Sequence, residues 1–224
     1  MCGRYTLSTP AGKLAKQFRL DHEPTLFARY NIAPTQDVPV VRLVPQSPDP
    51  ATRQLVMMHW GLIPRWAGDR DIGNRLINAR SETVTEKPSF KDAFRKRRCL
   101  LPADGFYEWQ KQGSRKQPHL IRMADEEPFA LAGLWEWWDE PDGEPVESCT
   151  ILTTQANELM KPIHHRMPVI LDPNDYARWL GPQASGMHEL LRPYPADAMT
   201  AAPVSTRVNN PGNESPRCAQ TLEI

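Results

Sequence analysis

Proline most constrains what this chain can fold into. There are 23 prolines in 224 residues, about twice the usual share of roughly 5%. They are spread along the sequence rather than gathered in one linker. Each fixes φ, removes a backbone donor and disfavours helix in the residue before it. Such a chain is expected to build many short elements joined by rigid turns. Hydrophobic residues make up 40% of the total, enough for a real core, and the length permits one large domain or two small ones.

The local patterns agree with short elements. Residues 11–20 place Leu14 and Phe18 four apart, followed by Leu20, which predicts a short amphipathic helix. Residues 24–40 carry Pro24, Pro34 and Pro39 and read as loop and turn. The apolar run 54–64 reads as a buried strand, and 88–98 as a helix through Phe90, Ala93 and Phe94. Two hairpins are expected, 105–110 with 118–123 and 129–138 with 146–154, each around a polar turn. Residues 167–171 read as a strand. Asp172 followed by Pro173 signals a helix start, so 174–180 should be helical. The polar tail after about residue 209 is expected to be poorly packed. Hairpins with few long helices predict one α+β domain with a mainly antiparallel sheet.

Lysine plus arginine and aspartate plus glutamate both number 27, so no global positive field announces a nucleic-acid partner. Any such binding must rest on local patches, of which Arg95, Lys96, Arg97 and Arg98 form the strongest, though a solvated helix end suits that run better. Cys2, Cys99, Cys149 and Cys218 are far apart, so no CxxC metal or redox motif exists. The first ten residues lack the apolar core of a signal peptide, and no run approaches the ~20 apolar residues of a membrane span. A cytoplasmic protein with reduced cysteines is expected, with neither cofactor nor metal.

Cys2 follows the initiator methionine directly. Removal of Met1 would leave a residue with an α-amine and a thiol on adjacent carbons. An α-amine has a reference pKa of about 7.7–8.0, so a useful fraction is neutral near pH 7. It can attack an aldehyde to give a Schiff base, and the thiol can close onto the imine carbon as a thiazolidine. On position alone, Cys2 equally suits a frayed terminus.

Five further segments bear on that choice: RYNIAPTQ (29–36), WGLIPRW (60–66) leading to NARSET (78–83), PADGFYEW (102–109), IHHRMPVIL (163–171) and VSTRVNN (204–210). With MCGRY at the start and in this order, they resemble the SOS response-associated peptidase (SRAP) family of abasic-site processing proteins across nearly the whole chain. The resemblance implies a single barrel-like α+β domain with flanking short helices and a DNA-binding cleft. It implies a protein, expected to be a monomer, that exposes its cysteine amine by self-processing. It further implies binding of single-stranded DNA, a thiazolidine crosslink to the ring-opened deoxyribose of an abasic site, and Schiff-base lyase activity. Association with the nucleoid would follow from DNA binding.

The same resemblance implies roles for single residues. Asn78 would orient the cysteine and the sugar, since an amide both accepts and donates; otherwise it is a turn former. Glu108 in a cleft would have a raised pKa and shuttle protons; by strand alternation it would face water. His164 could protonate the sugar oxygen, and His165 stands where an aspartate is often found. Arg4, Arg80 and Arg166 would contact phosphates, or be ordinary surface charges. Trp66 would stack on a base, or lie in the core. Asn31 and Pro34 suit a structural turn near the cleft. A His164–His165 metal site lacks a third ligand cluster. Two other classes stay open. One is a cysteine peptidase using Cys2 and His164, which would need no free α-amine. The other is a binding module that uses the arginines and Trp66 alone.

Overall fold

The computed structural model describes residues 2–45, 47–140 and 143–222. Among them the helices are short: α1 (Ala11–Phe18), α2 (Lys91–Lys96) and α3 (Tyr176–Leu180). Leu14 and Phe18 of α1 are buried as their spacing predicts. Helix α2 is shorter than the 88–98 expected. Ahead of α3, Asp172 caps the turn Pro173–Asp175 by accepting from the Asn174 N–H.

The strands are β1 (Tyr5–Leu7), β2 (Arg29–Ile32), β3 (Asp37–Leu43), β4 (Arg53–Trp60), β5 (Asn78–Arg80), β6 (Arg98–Ala103), β7 (Gly105–Gln112), β8 (Arg115–Met123), β9 (Phe129–Trp138), β10 (Val146–Gln155), β11 (Arg166–Pro168), β12 (Ile170–Leu171) and β13 (Met199–Pro203). Both predicted hairpins are present, as β7–β8 and β9–β10. The first turns through Gly113 at φ 59°, a positive φ that two-residue hairpin turns require.

Strands β4, β3, β6, β9 and β10 close into a barrel-like sheet, because β10 pairs both β9 and, in parallel, β4. Closure removes free edges. The interior is tight: a Cβ on Gly133 would lie 2.9 Å from the Cys99 sulfur and closer still to Leu101. A second sheet has the order β13-β8-β7-β1-β2. The chain passes from the barrel to this sheet at a single residue, Asp104, between β6 and β7. Gly105 next to it has no room for a side chain, since its Cβ would lie 2.8 Å from Leu120 and 3.0 Å from the Thr6 hydroxyl.

Four expectations need correction. Residues 24–40 contain β2 and the start of β3 rather than loop alone. Pro39 is tolerated because β3 meets β6 only at Val41–Leu100, leaving the proline where the strand has a single neighbour. Asn31 therefore lies in a strand, fully buried. The run 167–171 is two strands, β11 on β10 and β12 on β9. The tail after 209 is packed. Cys218 and Ala219 join a small cluster with Tyr107, Leu120, Val204 and Val208, and Glu214 accepts the N–H groups of Tyr30 and Asn31.

Candidate active site

A chain terminus is usually frayed. Here it is tied down, because β1 lies between β2 and β7 in the second sheet. Asp104 fastens the far end of β1, accepting the backbone N–H of Ser8 at 2.5 Å and of Thr9 at 2.9 Å, and the hydroxyls of Thr6, Ser8 and Thr9. Cys2, three residues before β1, is held fully buried as a result. The Arg4 carbonyl continues the β1–β7 ladder by accepting from Tyr107 N–H at 2.9 Å. That brings the Cys2 end of the chain alongside Glu108, the next residue of β7.

Three other candidates converge on this point. Asn78 opens β5, which runs parallel to β10 with Asn78 opposite Ile151. Its Nδ2 donates to the Cys2 carbonyl at 2.8 Å. Its Oδ1 is buried with no hydrogen-bond partner among the described residues. Glu108 is 3% exposed, so strand alternation does not put it in water. His164 lies just before β11, and its Nδ1 stands 4.0 Å from Glu108 Oε1. The Arg166 backbone N–H lies 3.0 Å from that Nδ1 and the Arg166 carbonyl 3.2 Å. A neutral ring can accept from the one, and a protonated ring can donate to the other.

Electrostatics follow from burial. It pushes the Cys2 thiol up to about 12, and the nearby Glu108 carboxylate adds to that push. Burial also holds Glu108 above the ordinary carboxylate value and His164 below the ordinary imidazole value. The exposed His165 ring lies 4.4 Å from that of His164 at 31°, and the His164 charge depresses its pKa. A polar, desolvated cluster of this kind, with a carboxyl and an imidazole displaced from their usual values, can move protons near neutral pH.

The arginines divide. Arg80 is exposed. Arg4 is turned inward, its Nη1 donating to Asn31 Oδ1 at 2.8 Å and to the Val208 carbonyl at 2.6 Å, with its guanidinium 5.9 Å from the Trp109 ring centre. Arg166 makes a bidentate pair with Glu82 at 2.5 and 3.0 Å and donates to the Thr153 carbonyl at 2.7 Å. The pairing holds Glu82 below the usual carboxylate range. Glu82 was legible only as part of NARSET. Trp66 is 61% exposed. It lines a groove of about 270 Å³ with Pro64, Arg65, Pro88 and Lys96. The basic run is broken up: Arg98 is buried on backbone carbonyls and Arg97 pairs with Glu136, leaving Arg95 and Lys96 exposed.

A family model described as SOS response associated peptidase (SRAP) matches residues 1–211. The chain belongs to the SRAP family. It is 42% identical over 228 residues to the abasic site processing protein YoqW of Bacillus subtilis (strain 168), across 99% of this chain and 100% of that protein. It is 34% identical over 267 residues to the abasic site processing protein HMCES of Gallus gallus, across 100% of this chain and 79% of that protein. A crystal structure of a protein from Bacteroides thetaiotaomicron superimposes with a TM-score of 0.87 at 29% identity, covering 99% of this chain and 100% of that one. The SRAP fold is thus a single domain with a closed barrel-like sheet and few short helices. Among the described residues no helix is long and apolar enough to cross a membrane.

Proposed function

We propose that this SRAP chain processes abasic sites in single-stranded DNA by forming a covalent thiazolidine through Cys2 once Met1 is removed, by self-processing or otherwise. The reading is carried by one observation: a buried Cys2 hydrogen-bonded by Asn78, with the Glu108–His164 pair beside it. The relatives named for abasic-site processing support it. The protein would act as a cytoplasmic monomer that joins the nucleoid when bound to DNA, and would need no cofactor or metal.

The α-amine attacks C1′ of the ring-opened deoxyribose. The carbinolamine loses water to give an imine. The Cys2 sulfur then bonds to the imine carbon, its proton passing to the nitrogen. Glu108, with its raised pKa, takes the amine proton and returns one to the departing hydroxyl. His164, neutral at pH 7, serves the ring-opening oxygen and, through the imine, lyase cleavage. The buried Oδ1 of Asn78 suits an N–H or sugar O–H donor, since an unpaired acceptor there is costly. Arg80, Arg4 and Arg166 would contact the backbone and Trp66 a neighbouring base, with Arg80 and Trp66 the most accessible.

The thiol's pKa weighs against the peptidase reading. A thiol nucleophile works as a thiolate, stabilised by a lowered pKa, whereas burial raises that of Cys2 to about 12. In thiazolidine closure the amine attacks first and the thiol adds to an electrophilic imine. Intact mass spectrometry with an oligonucleotide carrying one abasic site tests this. The expected product has lost Met1 and carries the oligonucleotide mass minus one water, stable to denaturation. Cys2→Ala should keep only a borohydride-trappable imine. A heat-stable adduct of Cys2→Ala, or no adduct from processed wild type, overturns the mechanism.

A further inference from the structure

The family model stops at residue 211, yet the chain beyond it reaches back to the N-terminus. Asn31 is the hub. Its Nδ2 donates to the carbonyls of Asn210 at 3.0 Å and Asn213 at 2.8 Å, and its Oδ1 accepts Arg4 Nη1 at 2.8 Å. Both Nδ2 protons are used, so the amide can take only one orientation. The Asn31 N–H donates to Glu214 Oε1 at 3.0 Å, and the Tyr30 N–H donates to the same oxygen. Trp109 Nε1 bonds Asn209 Oδ1 at 2.7 Å, closing the strap over the same corner.

Arg4 joins this clasp to the site. Its side chain is gripped by Asn31 and Val208, and its carbonyl by Tyr107. Its backbone N–H hydrogen-bonds the Cys2 sulfur. A donor on sulfur steadies the thiolate that must develop as the thiazolidine closes.

We propose that Glu214 is a positioning residue for the Cys2 thiol, acting through Asn31 and Arg4. The inference rests on the crosslinking reading above. Its consequence is specific to the second covalent step. Glu214 does not touch the α-amine, so imine formation proceeds without it. Closure of sulfur onto carbon depends on where the Arg4 N–H holds the sulfur.

The test is single-turnover crosslinking to a single-stranded abasic-site oligonucleotide at saturating DNA. Two products are separated: imine trapped by borohydride and heat-stable thiazolidine. For Glu214→Ala the imine share of the reacted protein should rise about tenfold, with the half-saturating DNA concentration within about twofold of wild type. Glu214→Gln keeps an Oε1 acceptor for the two N–H groups and should restore most of the wild-type ratio. A merely structural role would lower the folded fraction and leave the product ratio unchanged, and an unchanged ratio overturns the proposal. Should Glu214→Ala fail to fold, Glu214→Asp, which draws the carboxylate back by one methylene, is read for the same ratio: a raised imine share supports the proposal and an unchanged one overturns it. Absence of adduct in wild type instead overturns the crosslinking reading itself.

Discussion

The two halves of the site are held by different forces. Asn78 and His164 hang from β10, through β5 and just ahead of β11. The side chains from Ser148 to Thr154 of that strand are buried, and the barrel is filled by Leu100, Leu101, Leu131, Leu134 and Ile151. Cys2 and Glu108 ride on the second sheet, whose corner is tied by Asp104, Asn31, Arg4 and Glu214 through hydrogen bonds. Apolar packing is non-directional and tolerates small shifts; hydrogen-bonded clasps are directional and leave buried groups unpaired when one member is lost. The barrel should therefore set how stable the protein is. The polar corner should set where the reacting atoms stand.

The strongest way to break this comparison is to damage each half in turn. Leu131→Ala empties volume in the barrel and should cost about 2–5 kcal/mol of unfolding free energy, with crosslinking per folded molecule unchanged. Asn31→Ala should cost less, about 1–3 kcal/mol, yet slow crosslinking per folded molecule. Denaturant melts together with active-site titration separate the two. Equal catalytic loss from both variants would dissolve the distinction.

Glu108→Gln probes the carboxylate directly. A positioned acid–base contributes about 10²–10⁴ in rate, so adduct formation at pH 7 should fall at least about a hundredfold. Because burial raises the Glu108 pKa, the protonated form persists to higher pH than in an exposed carboxylate. The wild-type rate should therefore drop as pH falls through a value above the usual carboxylate range, and Glu108→Gln should lack that acid limb. A limb that survives in Glu108→Gln assigns it to another group.

The arginines give a smaller effect. Each phosphate neutralised on a single strand adds about 0.7 to the slope of log affinity against log salt. Arg80→Ala should reduce the slope by about that amount. Arg4→Ala, a change to an inward-facing side chain, should leave it unaltered while disturbing chemistry. Equal slope changes would place Arg4 on the phosphate track despite its bonds to Asn31 and Val208.

What was legible in the sequence follows from locality. The helix at Leu14 and Phe18 and both hairpins show in short-range spacing. Barrel closure was not legible, because the β10–β4 pairing joins residues nearly ninety apart, Cys149 with Trp60. Strand β2 and the start of β3 were hidden by Pro34 and Pro39, which signal turns unless a strand has one free side. The tail looked loose because its residues are polar, and polar groups are what the Asn31 hub requires. The motif residues Cys2, Asn78, Glu108 and His164 could be proposed from resemblance. Which arginines face inward could not, since guanidinium partners such as Glu82 and Val208 lie far away in sequence.

The mildest prediction concerns His165, which the resemblance marks as a departure from the usual aspartate. Its exposed ring lies against His164, and two imidazoles so close cannot both be protonated cheaply. His164 is already held below the ordinary imidazole value by burial. An aspartate at 165 would place a carboxylate beside it and favour the charged ring, moving its pKa up. The neutral form would then be lost at a higher pH as the solution is acidified. His165→Asp should shift the acid limb of the His164-dependent step upward by about one unit, since the position is open to solvent and the pair is screened. Near pH 7 that changes the rate only a few-fold. The step is read as strand cleavage or adduct reversal across pH, with His164→Ala as the baseline. An unmoved limb would mean that His165 does not tune His164, and that the polar corner alone sets the proton chemistry of the site.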